Sequence, residues 1–332
     1  MLILPSLAMA QGQVTRKPVP VPPTHKHSVN GPKNCAGCNR LRRHTHSVSG
    51  PGWCTECNRQ RLAEQRRKEQ ERIAERQRRE EERRLAEERK REEEEDRRSA
   101  EANERRAIIN RLVNNMVYVS GGTFTIGATS EQGSDAYDDE KPIHRVTLSS
   151  YYIGKYEVTQ AEWKAVMGSN PSNFKGDNLP VEQVSWNDCQ EFIRKLNSLT
   201  GKNFRLPTEA EWEFAARGGN NSRGYKYSGS NDIGSVAWYW DNSGSKTHPV
   251  GQKSPNELGL YDMTGNVWEW CQDWKGVYPS SSQTNPTGPA SGSYRVNRGG
   301  SWGLNARDCR VSYRSSSAPG YSDDFLGLRL VL

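Results

Sequence analysis

The sequence predicts an α+β domain with little regular secondary structure, preceded by a long charged α-helix. Three observations carry this reading. Residues 60–115 are almost entirely Glu, Arg, Lys, Gln and Ala, with no Gly or Pro, a composition that favours helix but offers no core-forming face. Nine of the ten Trp lie after residue 160, so the apolar weight sits towards the C-terminus. From Met116 onward, short apolar runs alternate with long stretches rich in Gly, Ser, Asn and Tyr, too few elements for a regular bundle or sandwich. A hydrophobic content of 33% and a mean hydropathy of −0.94 fit a chain of which a large part is not folded into a core.

In chain order, Met1 to Ala10 is an apolar run ending in the small-x-small pattern Ala8-Met9-Ala10, like the tail of a secretory signal without its basic start. Export is the expectation if this segment is a signal, and a cytoplasmic location if it is not. No later run is long and apolar enough to span a bilayer. Residues 11–34 are basic and rich in Pro, the composition of an extended arm. The net charge of +7 is local: Gln11 to Arg61 carries +8, leaving the remainder close to neutral. Specific nucleic-acid binding by the body of the protein is therefore not expected.

A tandem CxxC module occupies 35–59, within a longer repeat. His27-Ser28-Val29, Gly31-Pro32 and Cys35-x-x-Cys38-Asn39-Arg40 recur nineteen residues later, ending in Cys54-x-x-Cys57-Asn58-Arg59. Two C-x2-C pairs at this spacing fit a four-thiolate zinc ribbon; in an exported chain the same cysteines could form disulfides instead. The charged segment 60–115 follows, with acid-first i,i+4 pairs such as Glu64–Lys68, Glu75–Arg79 and Glu94–Arg98. Its apolar positions Leu62, Ile73 and Leu85 are too sparse for a heptad seam. A single helix, spanning roughly 75–80 Å, is expected, with weak self-association as the alternative.

The domain proper is expected over 116–332. Val117-Tyr118-Val119 and Thr123 to Gly127, separated by Gly121-Gly122, read as a short hairpin. Val146 to Ile153 reads as one further strand. Thr159, Ser185 and Thr208 each stand three residues before an acid (Glu162, Asp188, Glu211), the arrangement that caps a helix start; the last helix is expected over Glu209 to Arg217. In Gly259 to Trp274, Trp268 and Trp270 flank Glu269 with the period-2 pattern of a half-buried strand. Asp262, Glu269 and the Gly265-Asn266 turn before that strand could circle a hard cation such as calcium, or could form a tight turn with solvated acids.

Taken in order, several of these stretches resemble the sulfatase-modifying-factor, or formylglycine-generating-enzyme, family. They are Gly121-Gly122-Thr123-Phe124, Tyr156-Glu157-Val158-Thr159, Pro180-Val181, Arg205-Leu206-Pro207-Thr208-Glu209-Ala210-Glu211-Trp212-Glu213, Gly265-Asn266-Val267-Trp268-Glu269-Trp270, Arg298-Gly299-Gly300-Ser301-Trp302 and Gly327-Leu328-Arg329. The resemblance implies a C-type-lectin-like formylglycine-generating-enzyme fold over about 116–332. It also implies a structural calcium at Asp262, Gly265, Val267 and Glu269, and a second in the loop region 225–245. Active members oxidise a substrate Cys with oxygen and a copper ion held by two cysteines. Mapped here, those two positions are Leu304 and Cys309, following Ser301. Two soft thiolates suit Cu(I), whereas one thiolate and a hydrocarbon do not. Cys309 and Ser301 are the residues on which any surviving oxidase chemistry would rest. Cys189, Cys271 and Cys309 could otherwise be buried small hydrophobes, or Cys271 and Cys309 could pair. A related sulfoxide-synthase branch uses a three-His iron site, and the six His here form no such set.

The C-terminal stretch Gly303 to Asp324 is dense in Asn, Ser, Asp, Arg, Tyr and Gly, the composition of adaptable binding loops. It resembles the variable ligand-binding proteins of retroelement-diversified systems. A protein or peptide ligand contacting Trp302, Asn305, Tyr313, Arg314 and Tyr321 is the expectation, against the alternative of an ordinary solvated loop bed.

Overall fold

The computed structural model describes residues 55–332, and side chains from Asn58 onward. The segments 1–10 and 11–34 and the cysteine set Cys35, Cys38, Cys54 and Cys57 lie outside the described side chains. The chain falls into two units, one ending at Lys90 and the other running Arg91–Leu332.

Helix α1 runs Thr55–Asn114. From Arg59 its side chains stay exposed through Ala107, with Lys68–Glu64 at 2.9 Å and Arg79–Glu75 at 2.6 Å among its i,i+4 pairs. Such exposed pairs each add only about 0.3–0.5 kcal/mol; their number, not any one of them, supports a helix lacking an apolar face. The last turns are different. Ile109 and Leu112 are buried in the first core cluster, and Arg105 Nε donates to the Ala165 carbonyl.

Three small sheets follow. Strands β1 (Met116–Val119) and β4 (Tyr151–Gly154) pair antiparallel, and β2 (Gly122–Ile126) pairs antiparallel with β3 (His144–Leu148), which takes β6 (Gln283–Thr284) on its other side. The expected hairpin between 117–119 and 123–127 does not form. These segments are successive pieces of one strand run that pairs throughout with 144–154, in the same register on both sides of the break. Gly121 causes the misreading: a Cβ there would lie 2.5 Å from the Leu148 carbonyl oxygen, so the glycine permits close backbone crossing and not a turn. Likewise, 146–153 is two strands, broken at Ser149-Ser150.

Helices α2 (Gln160–Met167), α3 (Trp186–Thr200) and α4 (Glu209–Ala216) each start in a complete capping box, from Thr159, Ser185 and Thr208. Helix α4 ends one residue before the expected Arg217. The third sheet runs β8 (Arg314–Ser317), β7 (Arg295–Arg298), β5 (Trp268–Trp274), β9 (Leu326–Gly327).

Strand β5 is not half-buried. Trp268 and Trp270 enter the cluster built by α2 and α3, Cys271 enters the cluster built by α4, and Glu269 is fully enclosed. The period-2 pattern therefore separates one core from another, not core from solvent. All eight residues of α4 are buried, including Glu209, Glu211 and Glu213, and each acid meets an arginine from elsewhere in the chain. Replacing Glu213 with Ala would leave Arg298 enclosed without its main partner. The expected loss is about 3–5 kcal/mol, against about 1 kcal/mol for removing the Thr159 cap, measured by urea unfolding of the two variants.

Candidate functional site

Strand β7 ends at Arg298, and the chain turns at Gly299 (φ 99°) and Gly300 (φ 75°), a backbone that side chains resist. A Cβ on Gly300 would lie 2.5 Å from Cys309 Sγ, so this glycine lets Cys309 pack directly onto the turn. Ser301 is buried beside it, and its carbonyl accepts from Leu304 N at 3.1 Å. Cys309 closes the short helical turn Ala306–Cys309 and sits fully enclosed among Tyr227, Ile233, Val236 and Ala237, with Leu304, Tyr239 and Ala306 packed against the same cluster. Burial pushes its thiol up to about 12, with only a backbone hydrogen bond to Ser301 pulling the other way. The structure thus brings Leu304 and Cys309 to one apolar nest. That nest favours a neutral thiol as long as no cation is bound to it.

Of the two readings of these cysteines, buried thiols and a Cys271–Cys309 pair, the fold shows the first. Cys189, Cys271 and Cys309 are free thiols, one in each of the three core clusters.

The five expected ligand contacts divide. Trp302 is half-buried, its indole N–H donating to the Asp324 carbonyl (3.1 Å) and Phe174 meeting it edge-on. Asn305 and Tyr321 are exposed, the Tyr321 hydroxyl donating to Asp323. Tyr313 is half-buried between Trp268 and Tyr137, and burial pushes its phenol up to about 12. Arg314 is a correction. It is 3% exposed, forks onto Glu209 with both contacts at 2.6 Å, donates to the Asp139 and Gly276 carbonyls and lies over Tyr278. Four of its five N–H donors are taken inside the fold, and its burial keeps the guanidinium from the ligand face.

Sequence reasoning missed Trp240. It is 58% exposed and its backbone N–H donates to the Leu304 carbonyl, so it stands beside the expected ligand face. The alternation Trp238-Tyr239-Trp240 inside a polar loop was the available signal.

The other constellation lies under the Asp262–Val267 turn. Asp262 Oδ2 accepts from Gly251 N at 2.6 Å, while Asp262 Oδ1 is enclosed with no partner. Glu269 is held by Arg329 at 2.7–3.0 Å and by the Trp212 indole N–H at 2.7 Å. A third carboxylate, missed from sequence, is Glu157, which accepts from Asn266 Nδ2 (2.7 Å) and Val267 N (3.0 Å). Burial, then Asp262 and Glu269, raise Glu157 well above the usual carboxylate range, and burial raises Asp262 to about 6. Three enclosed carboxylates face one guanidinium, an excess of negative charge that a cation would relieve. Asp262 Oδ1 suits that role. Glu269 suits it only by sharing lone pairs already taken by Arg329 and Trp212. Among the described residues, no cluster of three His, Cys, Asp or Glu side chains is placed to hold a metal.

An α+β domain of this sheet order, built on the Arg-Leu-Pro-Thr-Glu-Ala-Glu-Trp-Glu helix and a Gly-Gly-Ser turn packed on a buried cysteine, defines a class. The chain belongs to the sulfatase-modifying factor enzyme 1-like family, whose domain model matches residues 101–332. It is 38% identical to the chaperone protein LppX of Paenibacillus barcinonensis, across 65% of this chain and 88% of that one. It is 32% identical to the formylglycine-generating enzyme of Streptomyces coelicolor, across 70% of this chain and 93% of that one. Among solved structures it is similar to Treponema denticola variable protein 1, with a TM-score of 0.60 and 37% identity over 65% of this chain and 94% of that one. No described helix is long and apolar enough to cross a membrane.

The division among the five residues is testable. Arg314→Ala should cost about 3–5 kcal/mol by stranding Glu209, whereas Tyr321→Ala should stay within about 0.5 kcal/mol. Thermal and urea unfolding of both variants check this.

Proposed function

We propose that this formylglycine-generating-enzyme-like domain is a protein- or peptide-binding head that has lost the copper-dependent oxidase chemistry of its relatives. One observation carries the reading: Leu304 packs into the same apolar cluster as the enclosed thiol of Cys309. Copper, when bound, would supply oxygen activation, and it would need two soft thiolates; the nest offers one thiol and a hydrocarbon. A relative bearing the name of a chaperone supports binding of other proteins. On this reading Trp302, Asn305, Tyr313, Tyr321 and Trp240 make the contacts, and Arg314 holds their scaffold. The segment 60–115 serves as a spacer, with zinc or disulfides at Cys35, Cys38, Cys54 and Cys57 closing the module before it. The Ala8-Met9-Ala10 pattern alone argues for export.

The oxidase reading is favoured by the 32% identity to a formylglycine-generating enzyme and by Ser301 remaining beside Cys309. Incubating the full chain with copper, oxygen and a Cys-containing peptide should give no aldehyde, and aldehyde by mass spectrometry would sink the proposal. Leu304→Cys should raise Cu(I) affinity by about two orders of magnitude or more, since it restores the thiolate pair.

Calcium at Asp262, with the carbonyls of Gly265 and Val267 and a share of Glu269, is the companion proposal, supported by the unpartnered Asp262 Oδ1. Asp262 sits at about 6 in the folded chain, above its ordinary 3.8. Its contribution to stability is therefore complete below about pH 4 and is lost as pH rises through about 6, on the order of 3 kcal/mol without a cation. Calcium should cancel that loss. The stability difference between calcium and chelator should grow between about pH 4 and 7; a difference that stays flat with pH would count against the site.

A further inference from the structure

The buried and half-buried arginines of the Arg91–Leu332 unit are matched to carboxylates with one exception. Arg205 pairs with Glu211, Arg217 with Glu131 and Glu213, Arg298 with Glu213, Arg310 with Glu140, Arg314 with Glu209 and Arg329 with Glu269. Arg295, half-buried at the start of β7, has no carboxylate within ion-pair distance among the described residues. Its guanidinium carbon lies 4.0 Å from the ring centre of Trp186 and 3.5 Å from that of Trp274. The two indoles come from α3 and β5, so three elements fix this one side chain. Nη1 donates to the Gln272 carbonyl, Nε is enclosed without a partner, and Nη2 bonds to no described residue.

Indole faces stabilise the cation and remove water from it, but they accept no conventional hydrogen bond. Burial lowers the proton affinity of Arg295, and Asp273 only partly offsets this, whereas Arg298, Arg314 and Arg329 move the other way with their acids beside them. What remains open is the Nη edge of a planar fork already held in place, the geometry that takes a carboxylate through parallel N–H···O bonds. Trp186 and Trp274 are themselves only half-buried, so the indoles that clamp the guanidinium also offer apolar surface for the stem that carries such a group.

We propose that Arg295, clamped by Trp186 and Trp274, is a carboxylate-binding subsite that takes an acidic group on a short apolar stem, as in a glutamate side chain. It stands independently of the binding face discussed above, since it lies at the opposite end of β7 from the Gly299-Gly300-Ser301 turn.

The test uses the full chain with its indole nitrogens labelled, titrated with N-acetyl-L-glutamate. The Trp186 and Trp274 signals should shift saturably in the millimolar range expected for a single contact, while Trp302 stays still. N-acetyl-L-glutamine and inorganic phosphate should need at least about tenfold more ligand for the same shift. Arg295→Gln should weaken the response by about tenfold or more, and Arg295→Lys, which keeps the charge but not the fork, should fall between. Absence of a saturable shift in the unaltered protein overturns the proposal. So does an equal response to the glutamine analogue or to phosphate, or a response that survives Arg295→Gln. The ligand comparison needs no variant, so it decides the matter even if a substitution prevents folding.

Discussion

The row of acids on α4 is the constraint on which the rest of this domain depends. Glu209, Glu211 and Glu213 occupy an eight-residue helix too short to be stable alone, and each is held by an arginine outside it: Glu209 by Arg314 and Glu213 by Arg298, both distant in sequence, and Glu211 by Arg205, six residues before it. Burial by itself would raise Glu209, yet Arg314 and Arg298 outweigh it and hold the acid down at about 2. Such pairs add little net stability over a well-packed apolar core, because desolvation offsets most of their attraction. Their effect is positional. Removing either partner strands a charge, so each pair admits one arrangement of two segments and penalises every other. In a domain whose sheets have two to four strands, that is how long irregular connections are held in register.

Much of α4 was legible in the sequence, because Thr208 three residues before Glu211 is a start signal that needs only local geometry. Its burial was not. Acids at 209, 211 and 213 resemble a solvated face, and the arginines that neutralise them lie up to 105 residues away. The same blindness placed Arg314 among the ligand contacts: an arginine beside a run of serines reads as surface until Glu209 is known to face it. Strand β5 failed for a related reason. Period 2 reports a difference between two faces, and two different cores satisfy that as well as core and water do. The glycines misled in the opposite direction, since Gly121-Gly122 looks like a turn but serves close backbone contact.

The candidate site was legible to the extent that it rests on residue identity. Leu304, at the position where the family resemblance implies a metal cysteine, needs no structure to be noticed. The fold adds that Leu304 packs against the apolar cluster that encloses Cys309, with the thiol pushed up to about 12 by burial. Glu157 was invisible as a member of the Asp262–Glu269 group because 105 residues separate it from Asp262, and only the fold brings its carboxylate to Val267 N.

The charge ladder and the loop face are mechanically linked, and the link says which part of the scaffold is free to vary. Arg298 is fixed by Glu213 immediately before the Gly299-Gly300 turn, Arg310 by Glu140 immediately after Cys309, and Arg314 by Glu209 at the start of β8. Residues 301–309 are thus a loop clamped at both ends by buried ion pairs, and none of those pairs uses a loop side chain. Loop residues can then change with little effect on where the ends sit, because the entropy of loop closure has already been met by the anchors. On the proposed reading, Leu304 at this position would remove the chemistry and leave the clamp intact. A scaffold of this kind would tolerate substitution within 301–309 while keeping the surface around Trp240, Trp302 and Asn305 in place. Preformed surface is the property that binding requires.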